Sequence, residues 1–186
     1  MKIKKKKNKL KERNWWLIFH LISTVLFLGG SFTQWLLLMT AIKADTAEVL
    51  SVSHYIMHTV DIALIIPGLL GVIITGIFLS IKTHWGFFKN WWIIAKEIVT
   101  LITLGLGTAL NFWVQSAIEI TSVKGLDALN DPVYLNDRSM IIMSAAIQTS
   151  ILIFVVIISV IKPWGKRIAK KKKEKQDKEE ESAVSN

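Results

Sequence analysis

Four stretches of the chain are free of Asp, Glu, Lys and Arg: Asn14 to Ile42, Ile62 to Ile81, Ile98 to Ile118 and Ser139 to Ile161. None alternates polar with apolar positions in the way a half-buried strand does. Each is long enough to cross the hydrocarbon core of a bilayer, which takes about 20 residues. Lipid offers the backbone no hydrogen bonds, so a spanning segment must satisfy its own, and a helix does this within one segment. The pattern predicts an all-α chain: an antiparallel four-helix transmembrane bundle, with helices at about 15–41, 56–81, 91–117 and 139–161 in a membrane domain of 14–161. A basic tail, 1–13, precedes it and a charged tail, 162–186, follows. Both tails are poor in apolar residues and are expected to be disordered. The first apolar run continues to Met39 with no A-x-A site after it. That exceeds the ~7 to 15 residues of a signal-peptide core, so it reads as an uncleaved anchor.

Composition agrees with the pattern. The 186 residues are 52% hydrophobic and include eight tryptophans, with a mean hydropathy of +0.43, too apolar for an ordinary soluble domain. There is no cysteine, which excludes disulfides, a thiolate nucleophile and Cys-ligated metal. The net charge of +9 changes the picture most, because it is unevenly spread. The first tail carries eight Lys and Arg, the region of Lys82, Lys89 and Lys96 three, and the last tail nine, so 20 of the 23 fall on one side of the proposed membrane. Asp45, Glu48, Glu119, Asp127, Asp131 and Asp137 fall on the other. By the positive-inside rule both termini are cytoplasmic. Trp15, Trp16, Trp91, Trp92 and Trp164 then lie at the inner interface, where aromatic rings are favoured. Lysine clusters beside a bilayer attract anionic lipid. The aromatic or motif context of a nucleic-acid site is missing, so no nucleic-acid partner is expected.

Small residues predict where helices approach. They are Gly29 and Gly30 on the first helix, Gly68, Gly71 and Gly76 on the second, Gly105 with Ala109 on the third, and Ala145 with Thr149 and Ala146 with Ser150 on the fourth. Pro67 predicts a kink. The short link 82–90 predicts that the second and third helices are neighbours, and 119–138 reads as a long outer connection turning at Asn130, Asp131 and Pro132.

Polar residues inside spans are costly, and they fall into two layers. The outer layer is a polar cluster of Gln34, His58, Asp61, Asn111, Gln115 and Arg138, in which an Asp61–Arg138 ion pair is expected. His54, His58 and Asp61 share one helical face and form a weak metal-ligand pattern. The inner layer holds His20 and Lys96, each five residues past a tryptophan, with Gly76 at the same level. Lys96, beside Glu97, can snorkel back to the headgroups. Alternatively the three form a haem or porphyrin site, with His20 on the iron of a haem b, Lys96 on a propionate and Gly76 giving clearance.

Two segments carry a resemblance. HLISTVLFLGG (His20 to Gly30) and PGLLGVIITGIFLSIKTHWGFFKNWWIIAKEIVTLI (Pro67 to Ile102) resemble a family of uncharacterised four-span integral membrane proteins of bacteria, over roughly the first three helices. That likeness implies a bacterial plasma membrane and brings no activity with it. A more distant likeness is to HemJ-type protoporphyrinogen oxidases and the membrane domain of copper-resistance protein D. It implies a histidine in the first helix and a lysine early in a later one, which His20 and Lys96 match. Phe27 to Gly30 stand where the HemJ type has Trp-Met-Ala-Gly-Leu. No soluble-enzyme motif is present, which points away from catalysis. Three functions stay open: an interaction with lipid, a membrane-protein partner or a second copy of the chain; haem or porphyrin redox chemistry; and a small permease or proton path through the Asp61 cluster.

Overall fold

The computed structural model describes residues 2–82 and 90–161, with side chains over 10–81 and 90–161. Trp164, Lys89 and the lysines of the last tail lie outside the described residues. The elements are α1 (Lys2–Ile42), α2 (Ala47–Val60), a π-helical turn (Asp61–Ile65), α3 (Ile66–Lys82), α4 (Trp91–Lys124), a 3-10 segment (Gly125–Asn130) and α5 (Pro132–Ile161). There is no strand among the described residues. Four helical stretches are long and apolar enough to cross a membrane: Leu10–Ile42, Ala47–Ile81, Trp91–Asn130 and Pro132–Ile161. Most of each stretch is not covered by the rest of the protein. Leu36, Leu101, Phe112 and Val160 are among the apolar side chains left exposed on its outside.

The helices run past the ends of the uncharged runs. The segment from Lys2 to Arg13, expected to be disordered, continues α1 as helix. Propagating an existing helix costs little, and lysine is a good helix former. α2 starts at Ala47 because Thr46 caps it, its hydroxyl accepting from the Val49 N–H at 3.2 Å. α5 starts at Pro132, well before the expected 139. Asp131 accepts from the N–H groups of Val133 (2.8 Å) and Tyr134 (3.2 Å), and a proline at the first helical position needs no hydrogen-bond acceptor. The long connection of 119–138 is therefore helical except around Asp131. Gly125 makes the bend with φ +57, a conformation that favours glycine.

α1 packs most closely on α3, and α4 on α5, while α2 lies against both α1 and α4. Along α1 and α3, rising numbers meet falling ones. Trp16 stacks on Phe78 at 4.2 Å between ring centroids, and His20 meets Thr75 at 2.8 Å. Further along, Ser23 meets Gly71, Phe27 meets Gly68 and Gly30 meets Ile65. A Cβ on Gly68 would lie 2.8 Å from the Phe27 nitrogen, and one on Gly30 would lie 2.6 Å from Ile65 Cγ1. These glycines set the helix spacing. Gly29 and Gly105 do not: nothing lies within 4 Å of where their Cβ would be, so the expected contact through Gly105 is not made. The second and third spans meet through α2 and not along α3. Despite the short link, α3 and α4 barely touch among the described residues, because α3 commits its glycine face to α1.

Candidate functional site

Pro67 shapes the site. Proline has no N–H and its ring crowds the carbonyl four residues back, so a regular helix cannot pass through it. The chain widens just before it into the π-helical turn, in which the Ile66 N–H bonds the Asp61 carbonyl. Wide turns of this kind recur at functional sites. Asp61 opens the turn and is 4% exposed. The Gln34 amide of α1 donates to Asp61 Oδ1 at 2.7 Å and to the Met57 carbonyl at 2.9 Å. Asp61 Oδ2 is buried and has no hydrogen-bond partner.

A cavity of about 220 Å³ has Asp61 in its wall. The π turn and α3 line it with Ile65, Leu69 and Leu70, and α4 with Leu104, Gly107 and Asn111. α1 adds Gln34, and α5 adds Gln148. Gln148 is also buried, and its Oε1 likewise lacks a partner. A buried acceptor without a donor costs about 1–3 kcal/mol, so the wall holds two acceptors that a ligand could satisfy. A polar row leads away from it. The Asn111 amide donates to His58 Nδ1 at 3.3 Å, which places the His58 proton on Nε2. The Gln115 amide donates to Asn111 Oδ1 at 2.7 Å, where the side chains are exposed.

The structure thus brings together Gln34, Asp61, His58, Asn111 and Gln115, and leaves Arg138 out. The Arg138 guanidinium carbon sits 5.9 Å from the centroid of the Tyr134 ring, and the expected Asp61–Arg138 ion pair is replaced by the Gln34 bond. His54, His58 and Asp61 do not converge as metal ligands. His54 is fully buried, donates from Nδ1 to the Leu50 carbonyl at 2.9 Å and meets the edge of Tyr134. Among the described residues, no group of three His, Asp or Glu could hold a metal ion. Sharing a face of one helix does not bring side chains to a common point when each finds its own partner.

The inner-layer residues are also brought close. Thr75 donates to the Gly71 carbonyl at 2.5 Å, so the His20–Thr75 bond has Nδ1–H as donor and leaves the Nε2 lone pair available. A Cβ on Gly76 would meet His20 Cε1 at 3.8 Å, an ordinary contact. Lys96 lies over the Trp92 ring at 4.7 Å, one turn on from it along α4. Beside it, Glu97 Oε1 is buried without a hydrogen-bond partner.

Sequence reasoning missed Gln148, Thr75 and the Ser116–Asp137 bond of 2.6 Å. Gln148 could have been found, as an amide alone in an apolar run. Thr75 could not, because its role depends on facing His20. By its fold this is an all-helical chain with four potential membrane spans. No family model, curated protein or solved structure matches it.

Proposed function

We propose that the chain is a multi-pass protein of a bacterial plasma membrane, an antiparallel bundle with both termini cytoplasmic, that takes a small solute or a proton to Asp61 from the outer side. The observation that carries this is the buried carboxylate with one oxygen unpartnered at a cavity wall. An ionisable group inside a span is expensive to keep and marks a path or a site. The Gln115, Asn111 and His58 row supplies an outer approach to it. The basic tails hold the inner face to anionic lipid at roughly 1 kcal/mol per lysine. In proteoliposomes with a trapped pH indicator, the wild type should dissipate an imposed proton gradient and Asp61→Asn should not, at equal reconstitution. Equal rates would remove this reading.

One observation favours a second reading. The Thr75 bond orients His20 with Nε2 unprotonated, as a haem ligand requires. His20 would hold the iron of a haem b and Lys96 a propionate, and the haem would supply redox chemistry. Purified protein should then show a Soret band that His20→Ala abolishes. A protein that stays colourless after haemin is added would eliminate this reading.

A further inference from the structure

Resting on the Asp61 reading, the chemistry of the cavity wall defines what it takes. Both unpartnered atoms are acceptors, Asp61 Oδ2 and Gln148 Oε1. The Gln34 amide uses both of its hydrogens, on Asp61 Oδ1 and on the Met57 carbonyl, and the Asn111 amide uses one of its two on His58. The site therefore calls for a donor and disfavours an anion. Among the described residues no Lys or Arg pairs with Asp61, so a positive charge would complement it. A bare inorganic cation fits less well: hard cations take about six or more oxygen ligands, whereas Asp61 is the only carboxylate among the described residues of the wall. The remaining wall is largely aliphatic. Gly107 has nothing within 4 Å of where a Cβ would stand, which keeps that side open. The volume of about 220 Å³ exceeds the ~150 Å³ cavity that takes up benzene. Because α3 and α4 barely touch, the aliphatic end can be reached from between them, where an amphiphile would partition.

We propose that this cavity binds a small lipophilic ammonium ion, a protonated amine on an apolar body somewhat larger than benzene, with its N–H groups on Asp61 and Gln148 and its body between α3 and α4.

The test is calorimetric binding of 2-phenylethylammonium to the full chain in detergent at neutral pH, beside its uncharged counterpart ethylbenzene. The ammonium should bind more tightly than the hydrocarbon. Asp61→Asn should weaken it by at least about tenfold, Gln148→Leu should weaken it several-fold, and Gly107→Leu should abolish binding by filling the cavity. Circular dichroism and monodisperse elution would show that each variant folds, and the comparison of the two ligands on the wild type needs no variant. Equal binding of the two ligands would overturn the proposal, as would displacement of the ammonium by sodium ions or no ammonium binding at all. Proton flux lost in Asp61→Asn without ammonium binding would sink this inference and keep the reading above. Ammonium binding without flux would do the reverse.

Discussion

Two aspartates show how differently one residue type can be used. Asp131 sits at the start of α5, where Lys124 pairs with it and two backbone N–H groups bond it. The Lys124 bond, then those of Tyr134 and Val133, hold its carboxyl below the usual value of 3.8. A depressed folded-state pKa means that its contribution is complete above the unfolded value and is lost as the pH falls through the folded one. The protection of the Val133 and Tyr134 amides against exchange should therefore hold down to mildly acidic pH and fall only below the ordinary carboxylate range. Asp131→Ala should remove that protection at neutral pH and change little once the carboxyl is protonated. Asp61 accepts from the Gln34 amide and has a buried oxygen without a partner, and its substitution should register in flux and binding. The identities of these groups were legible in the sequence, because a charge inside a span stands out. Their partners were not: Asp61 and Arg138 looked complementary, but pairing depends on helix rotation, which one sequence does not fix.

At the scale of elements, glycines on different helices do unlike work. Gly71 and Gly68 lie against Ser23 and the Phe27 backbone, whereas Gly29 and Gly105 face open space. Gly71→Val should destabilise the α1–α3 pair by about 1–3 kcal/mol, since overpacking forces backbone shifts. Gly105→Ala should be neutral or slightly stabilising, because alanine is the better helix former. Thermal unfolding in detergent, followed by circular dichroism, would check both. The four apolar runs gave the number of helical stretches long enough to cross a membrane. Their ends were less legible, because helices continue beyond the apolar stretch until a cap stops them. The Asp131–Pro132 pair was read as a turn, although it equally describes a helix start.

For the whole molecule, the uneven charge supports a definite topology. The natural absence of cysteine makes that topology easy to test. A single cysteine at Lys43 should react with a membrane-impermeant maleimide on intact cells. One at Glu180 should react only after permeabilisation. The opposite pattern would invert the orientation and move the polar row to the inner face. What the charge pattern could not show is the gap between α3 and α4, because a short link constrains only where two helices begin.

The wide turn before Pro67 amounts to one surplus residue in an otherwise regular rod. The five residues from Asp61 to Ile65 wind the chain about as far as four would in an α-helix, so the turn absorbs the surplus and keeps its two flanks in phase. Asp61 therefore meets Gln34 on the same helix against which Gly68 and Gly71 pack. Wound evenly, the same residues would carry the carboxylate about 100° away from that face.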